Sequence, residues 1–317
     1  MTKLTHIIGI IKDKASQSKA AMLSRRTTLS LLRATSHDSF TPPTPKHLAT
    51  LLSSGDGSRA TASAAVEVLM DRLQGTSDAA VALKCLIAVH HIIHHGSFIL
   101  QDQLSVYPSA GGRNYLNLSN FRHNSDPTSW ELSSWVRWFA RHIESLLCVS
   151  RSLGLFLGSS YDREERVSGL TNVELVGELE SLVGLIEGIC KRPDGSDNGN
   201  ALVEEIVRLA RGDWGVVEVE VEVRMNEVRE RLGCFKFGEA VELVCCLKRL
   251  EEIHEFRFWG LVRDLKEKLG LGFHLYKDDP KRLKDTTNLR FSESDRFSGP
   301  SLLASRDFLR FNSARFL

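Results

Sequence analysis

Residues 79–95 read AAVALKCLIAVHHIIHH, and this stretch decides the fold because the helix it predicts has apolar side chains on every side. A helix that is apolar all round is stable only where other parts of the chain cover it. Gly96 directly follows the stretch and is typical of the residue that ends a helix. We therefore expect a buried central helix over 79–95, with the other elements packed around it.

Helical periodicity continues on both sides of this central segment, with apolar residues spaced three and four apart. One stretch differs, since residues 216–223 read VVEVEVEV, an alternation that is typical of a strand. We still predict a helix there, because every neighbouring segment is helical and an isolated strand would have no partner. The sequence thus predicts an all-α protein, with irregular segments at 108–127 and 155–170. The other predicted helices cover residues 3–15, 18–33, 46–52, 60–73, 97–106, 128–154, 171–190 and 201–211, and two more helices cover 224–269 on either side of 233–235.

Composition and charge limit the classes of protein to which this chain can belong. The 317 residues are 42% hydrophobic and 26% charged, which is ordinary for a globular protein. The formal net charge is only +1, so no global positive field favours nucleic acid as a partner. The charge is unevenly spread, however, because residues 1–47 carry +6 and the rest of the chain carries −5. A basic N-terminal end on a nearly neutral protein favours contact with an anionic surface.

The sequence shows no signal for membrane insertion or secretion. No apolar run reaches the length of a membrane-spanning helix, and the first residues lack the pattern of a signal peptide. Met1-Thr2 excludes N-myristoylation, and the C-terminus is not a prenylation box. The six cysteines lack disulfide-like or C-x-x-C spacing, which is typical of a reducing cytosol. We therefore expect a cytoplasmic protein whose folded surface makes any membrane contact.

A candidate anion site lies between residues 33 and 47, which read RATSHDSFTPPTPKH. Its prolines separate two helices, so Arg33 falls near a helix end and Lys46-His47 fall in the first turn of the next helix. If the two ends meet, these three side chains converge beside free backbone N–H groups. That arrangement is typical of a site that binds phosphate or another anion.

The N-terminal segment 3–15 predicts a basic amphipathic helix with one leucine and three isoleucines on one side. Two interpretations stay open for that side. Either it packs on the protein core, or it enters the head-group region of a membrane, where basic residues add to the attraction. The apolar residues are Leu4, Ile7, Ile8 and Ile11, and the basic residues that could assist are Lys12, Lys14 and Lys19.

His90/His94 and His91/His95 are two pairs spaced four residues apart, a spacing that can hold zinc. The segment lacks the glutamate of an HExxH motif, however, and no third ligand is evident in the sequence. We therefore interpret the histidines as structural, two at least partly buried and two at the helix end, and predict no metal and no cofactor. The sequence contains no phosphate-binding glycine loop and no nucleophile elbow, so we predict that the protein is not an enzyme.

Four segments of the sequence resemble the ANTH-domain clathrin assembly proteins, a family related to epsin, and its plant members most closely. Arg33, the ATSHD that follows it, and Lys46-His47 match the family's Lys-Ala-Thr-Ser/Thr-His-Asp/Glu and Lys-x-Lys/Arg-His/Tyr motifs. Thr44 stands where the family has its middle lysine, and the gap is one residue longer. The other three segments are VALKCLIAVHH from residue 81, NYLNLSNF from residue 114 and WVRWFARH from residue 135.

The resemblance implies a right-handed, α-solenoid-like stack of helices over residues 1–270. Beyond it the periodicity is lost, so we predict a flexible basic tail over residues 271–317. The resemblance also implies that the protein binds phosphatidylinositol 4,5-bisphosphate on the inner leaflet of a membrane. The residues implied for head-group binding are Arg33, Lys46 and His47, with Lys12, Lys14 and Lys19 as candidate helpers.

The function implied by the resemblance is that of an endocytic adaptor which helps clathrin coat assembly and vesicle budding. The implied partners are the clathrin heavy chain, adaptor complexes and a vesicle SNARE, which residues 218–269 would capture. The implied locations are coated pits and vesicles at the plasma membrane, and the Golgi apparatus. The alternative is a cytosolic helical interaction scaffold without phosphoinositide binding, which the missing lysine at Thr44 favours.

Overall fold

The computed structural model describes residues 2–22, 26–37, 40–108, 111, 114–123, 127–193, 199–253 and 259–277. Within these ranges the chain forms twelve α-helices, two short 3₁₀ turns and no strand, which confirms the all-α prediction. The helices are α1 Thr2–Met22, α2 Arg26–Ala34, α3 Pro45–Leu52, α4 Arg59–Gly75, α5 Ala79–His95, α6 Phe98–Ser105, α7 Pro127–Leu153, α8 Arg163–Ser168, α9 Asn172–Cys190, α10 Ala201–Glu230, α11 Phe237–Glu251 and α12 Trp259–Lys277.

The chain divides into two units, Met1–Gly270 and Leu271–Leu317. The first unit contains α1 to α11 and most of α12. The second unit begins within the last turns of α12, and its residues beyond Lys277 lie outside the described part of the chain. The flexible tail predicted for 271–317 falls almost entirely on those residues.

Helix α5 is the buried centre of the first unit. Every residue from Ala79 to His90 is buried, and α3, α4, α6, α7 and α10 all pack against the helix. Asp78 caps its start, because the carboxylate accepts hydrogen bonds from two backbone N–H groups of the first turn. The helix ends at Gly96, as predicted. The expectation of a buried central helix is confirmed.

From α5 the stack continues through α7, α9, α10 and α11. Helix α7 packs against both α5 and α9, and α9 packs in turn against α10 and α11. The aromatic side chains of α7 face this interior, where Trp135, Trp138 and Phe139 are buried. The indole N–H of Trp138 donates to the carbonyl oxygen of Gly188 on α9 at 3.0 Å. Helices packed in succession in this way form the solenoid-like stack.

The valine–glutamate alternation of 216–223 lies inside α10, which is one continuous helix. The helix prediction is confirmed, and the strand alternative is wrong. A helix distributes an alternating pattern around its whole circumference, so Val219 is exposed while Glu220 and Val221 are fully buried. The helix therefore places one glutamate in the interior, where it needs partners.

Helix α8 occupies residues 163–168, so the irregular structure predicted for 155–170 is wrong over this part of the segment. Its carboxylate cap is Asp162, which accepts from the backbone N–H of Glu165 at 3.0 Å. Arg166 in the helix pairs with Glu178 of α9 at 2.5 Å. A helix of six residues has too few turns to show periodicity, and this one depends on its cap and on a distant ion pair.

Arg224 of α10 is the centre of a buried ion-pair network. It is fully buried, and its guanidinium lies 2.6 Å from a carboxylate oxygen of Glu178 and 2.8 Å from one of Glu220. Glu220 also accepts from the Tyr161 hydroxyl at 2.6 Å and from Nε of Arg163 at 2.7 Å. Burial would raise the pKa of Glu220, but these donors outweigh it and hold the pKa below its ordinary value. The network joins α8, α9 and α10.

Replacing Arg224 with methionine should lower the free energy of unfolding by about 3–5 kcal/mol, because two buried glutamates lose their partner. Urea denaturation followed by circular dichroism measures this change. Arg208→Ala on the same helix is the control, since Arg208 forms an exposed pair with Glu205 at 2.7 Å. That substitution should cost less than about 1 kcal/mol. Equal losses in the two variants would contradict the prediction.

Candidate anion-binding site

The predicted junction lies where α2 ends and α3 begins. Helix α2 ends at Ala34, α3 begins at Pro45, and the two helices pack against each other. Arg33 is therefore in the last turn of α2, while Lys46 and His47 are in the first turn of α3, as predicted. Arg33 and Lys46 are exposed, and His47 is half-buried.

The pKa of His47 reflects its position beside two cations. Burial lowers the pKa of the imidazole, and the positive charges of Arg33 and Lys46 lower it further. His47 is therefore neutral at pH 7 in the absence of a bound anion. The junction thus presents two cations and a neutral imidazole together, a combination that can bind a phosphate group through charge-assisted hydrogen bonds.

The backbone at the start of α3 is ordered by Thr44. Its carbonyl oxygen accepts from the backbone N–H groups of His47 at 3.0 Å and of Leu48 at 3.2 Å. Its side chain is exposed and makes no capping hydrogen bond. Where the resembling family has a lysine, this chain therefore presents a hydroxyl group, and the site has one cation fewer.

The buried carboxylate of Asp13 on α1 organises the residues that follow Arg33. It accepts from the Nδ1 and the backbone N–H of His37, at 2.7 and 2.8 Å, and from the guanidinium of Arg72 on α4 at 2.7 Å. The same guanidinium donates to the hydroxyl and carbonyl oxygens of Thr35, at 2.7 and 2.6 Å. Burial would raise the pKa of Asp13, but His37 and Arg72 outweigh it and hold the pKa below its ordinary value.

These hydrogen bonds show that some residues of the motif after Arg33 have a structural role. Thr35 is buried and His37 is tied to Asp13, while the ammonium of Lys84 on α5 donates to the carbonyl oxygen of Ser36 at 2.8 Å. Asp38, the last residue of the motif, lies outside the described residues. The network joins α1, the end of α2, α4 and α5, and sequence reasoning assigned none of it.

Helix α1 presents an apolar and basic surface that the core does not cover. It is continuous over Thr2–Met22, so the predicted division after residue 15 is wrong. Ile7, Ile8 and Ile11 are 50%, 41% and 60% exposed, which contradicts the core-packed interpretation for these three side chains. The side chain of Leu4 lies outside the described residues. Among the described side chains of the helix, the exposed lysines are Lys12, Lys14 and Lys19.

The predicted site residues therefore fall into two groups on neighbouring helices. Arg33, Lys46 and His47 lie in the adjoining turns of α2 and α3, whereas the three lysines lie on α1, which packs against α2. In the part of the chain that the structure describes, no helix combines the length and apolar character needed to cross a membrane.

The fold and the junction together define a helical-stack domain with a cationic helix junction. The sequence model of the ANTH domain matches residues 26–204, which contain the whole junction, α5 and α7. The chain belongs to the ANTH-domain family, and the resemblance found in its motifs is confirmed.

Three Arabidopsis thaliana proteins, each named a putative clathrin assembly protein, are similar to this chain. One is 46% identical over 346 residues, which cover 100% of this chain and 95% of that protein. The second is 29% identical over 303 residues, covering 84% of this chain and 100% of that protein. The third is 31% identical over 295 residues, covering 83% and 85%. The similarity therefore extends well beyond the segment that matches the domain model.

Replacing Arg33 with alanine should raise the pKa of His47 toward its ordinary value, because one of two repelling charges is removed while burial remains. An NMR titration of the imidazole C–H resonances measures the change. Arg26→Ala removes an exposed charge from the other end of α2 and should leave the pKa of His47 unchanged. If Arg33→Ala also leaves it unchanged, the charges do not converge.

Replacing Asp13 with alanine should loosen α1, because His37 and Arg72 lose their shared acceptor. Backbone amides of α1 should exchange with solvent at least about tenfold faster, while those of α9 keep their rates. The folded pKa of Asp13 lies below the ordinary value of 3.8, so its stabilising effect is present above pH 3.8 and is lost as the pH falls through the folded value. Uniform acceleration in α1 and α9 would contradict this local role.

Proposed function

We propose that the protein is an endocytic adaptor that binds phosphatidylinositol 4,5-bisphosphate on the inner leaflet and promotes clathrin coat assembly and vesicle budding. The observation that carries the proposal is the position of Arg33 in the last turn of α2 and of Lys46 and His47 in the first turn of the adjoining α3, where both charges act on the imidazole. Membership of the ANTH-domain family, and similarity to proteins named for clathrin assembly, support a link between that junction and coat formation.

The head group binds at the junction through its phosphates. The guanidinium of Arg33 binds phosphate oxygens through paired N–H groups, whereas the ammonium of Lys46 acts as a compact charge. The imidazole of His47 adds a hydrogen-bond donor. A bound anion offsets the repulsion that lowers the pKa of His47, so head-group binding should be accompanied by partial proton uptake at this side chain.

Helix α1 supplies a second contact with the same membrane. Its exposed isoleucines enter the head-group region, and its lysines contact anionic lipids, each contributing about 1 kcal/mol near the surface. The hydrogen bonds between Asp13 and His37 hold α1 next to the segment that carries Arg33. The two contacts therefore act together, and the lysines offset the charge that is missing at Thr44. The residues of this second contact are Lys12, Lys14 and Lys19.

The proposed coat partners are the clathrin heavy chain and adaptor complexes, and a vesicle SNARE is the proposed cargo. Residues 218–269 offer exposed apolar side chains to a SNARE helix, namely Val219 on α10 and Phe237 and Val241 on α11. An amphipathic helix binds such side chains with its own apolar face. The protein then works on the cytoplasmic face of the plasma membrane, in coated pits and vesicles, and at the Golgi apparatus.

A second candidate function is that of a cytosolic helical scaffold that binds peptides and not phosphoinositides. Thr44 favours this alternative, because an exposed hydroxyl group replaces the family's lysine. The charge of +6 over residues 1–47 favours the membrane adaptor, since scaffolding on a peptide does not need it. We prefer the adaptor for that reason.

Co-sedimentation of the full chain with phosphatidylcholine vesicles, with and without phosphatidylinositol 4,5-bisphosphate, tests the proposal. Replacing Arg33, Lys46 and His47 together with alanine removes two charges at about 1 kcal/mol each, which should weaken binding roughly 30-fold. Binding of the unmodified protein should also weaken steeply as the salt concentration rises, because exposed charges are screened.

Two further variants distinguish the junction from α1 and from general charge loss. Arg229→Ala/Lys248→Ala removes two exposed charges from α10 and α11 and should sediment as the unmodified protein does. Lys12→Ala/Lys14→Ala/Lys19→Ala should weaken binding without removing its dependence on the phosphoinositide. If the junction variant binds normally and only the α1 variant fails, the lipid site lies on α1. If the unmodified protein never sediments with vesicles that contain the phosphoinositide, the adaptor proposal fails and the cytosolic scaffold is the remaining candidate function.

A further inference from the structure

Three histidine side chains converge on the carboxylate of Asp213 in the interior of the stack. His90 and His94 lie on α5, His142 lies on α7, and Asp213 lies on α10. The Nε2 atoms of His90 and His142 are 3.0 and 2.6 Å from Oδ2 of Asp213, and Nε2 of His94 is 2.8 Å from Oδ1. His94 is the most accessible of the four side chains, at 11% exposed. The cluster joins three central helices.

Sequence reasoning recognised the spacing of His90 and His94 but found no third ligand. The fold supplies two further residues, because Asp213 is 71 residues from His142 and 123 residues from His90 along the chain. No local motif can show partners at such separations. The other pair of the helix stays outside the cluster, and its member His95 is exposed.

The hydrogen bonding within the cluster is incomplete. Among the buried side-chain polar atoms of the described ranges, those without a hydrogen-bond partner are Nδ1 of His90, Nδ1 of His142 and Nε2 of His94. Nε2 of His94 lies 2.8 Å from Oδ1 of Asp213, but the angle between the two groups does not suit a hydrogen bond. Two ligands of one metal ion have this relation, because each points at the ion and not at the other. Buried polar atoms without partners indicate a further group, either water or an ion.

The charges of the cluster also suit a cation. Oδ2 of Asp213 accepts from Nε2 of His90 and of His142, so each of these Nε2 atoms carries a proton when no ion is bound. Burial would raise the pKa of Asp213, but the hydrogen bonds of His142 and His90 and the close approach of His94 outweigh it and hold the pKa far below its ordinary value. The carboxylate therefore remains an anion inside the fold, where an uncompensated charge is costly. A divalent ion would compensate this charge once the Nε2 protons have moved to Nδ1 or been released, since only an unprotonated nitrogen binds a metal.

We propose that this cluster is a binding site for a divalent transition metal, with zinc as the expected ion. His90, His142 and Asp213 offer ligand atoms that lie within 4.8 Å of one another. His94, whose Nε2 lies 2.8 Å from Oδ1 of Asp213, is the proposed fourth ligand. Imidazole nitrogens and a carboxylate oxygen are common zinc ligands, and four protein ligands are typical of a structural site. In the bound form each imidazole that binds through Nε2 carries its proton on Nδ1, where buried water is the available partner.

The proposed ion fastens α5, α7 and α10 together, so its effect is on the stability of the stack and does not depend on the lipid site. Metal binding to the folded chain stabilises it by mass action. Zinc at 100 times its Kd should raise the Tm by about 4 °C. The side of the cluster at His94 gives access, because Gly158 lies beside it without a side chain.

The test is a zinc titration of the full chain after removal of metal with a chelator, read by competition with a chromophoric zinc indicator. We expect one equivalent of zinc per chain. Cobalt(II) gives a second readout, because its visible absorption distinguishes a four-coordinate site of nitrogen and oxygen ligands from one that contains thiolates. That distinction matters because four of the six cysteines are exposed.

Asp213→Asn should abolish stoichiometric binding, and His94→Gln should weaken it at least about tenfold. His95→Gln is the matched control, since it removes an imidazole from the same helix outside the cluster, and it should bind as the unmodified protein does. If Asp213→Asn fails to fold, His94→Gln decides the question alone, because its side chain is the most accessible of the four. Absent binding, binding unaffected by His94→Gln, or a thiolate-type cobalt spectrum would overturn the proposal and leave a hydrogen-bonded cluster.

Discussion

A helix with no polar side is stable only when other helices cover it completely, and α5 imposes that constraint on this fold. Five helices pack on it, drawn from residues 45 to 230 of the chain. Polar groups that enter the interior with α5 must then find partners there. The ammonium of Lys84 binds the carbonyl oxygen of Ser36, and the imidazole of His90 faces Asp213. Lys84, a side chain of the central helix, therefore holds the backbone of the segment that follows Arg33 in place.

Most helices could be predicted from the sequence because each carries its periodicity within its own residues. Context settled the alternating stretch 216–223, since no second strand was available to pair with it. The short helix α8 could not be predicted, because its cap and an ion pair with α9 specify it more than any repeating pattern does. The buried pair of Glu178 and Arg224 was equally hidden, since 46 residues separate them and a charged side chain is ordinarily expected outside.

The junction was predictable for a local reason, because prolines place Arg33 and Lys46 at helix ends whatever the rest of the chain does. The residues that support the junction could not be predicted, since Asp13 lies 24 residues from His37 and 59 residues from Arg72 along the chain. The sequence also left undecided whether the apolar side of α1 faces the protein core or the outside. An apolar stripe has the same spacing whether protein or lipid covers it, so only the folded structure shows that its isoleucines are exposed.

The long separation between His90 and Asp213 has a consequence for biosynthesis, because the two residues are made 123 positions apart. A ribosome adds about 5–20 residues per second, so α5 waits roughly 6–25 seconds for its partner on α10 to be translated. During that interval one side of an apolar helix is uncovered, which makes the nascent chain a substrate for chaperones. The Asp13–Arg72 contact spans only 59 residues and can close earlier. The cationic end of the molecule can thus be assembled while the other half is still being synthesised.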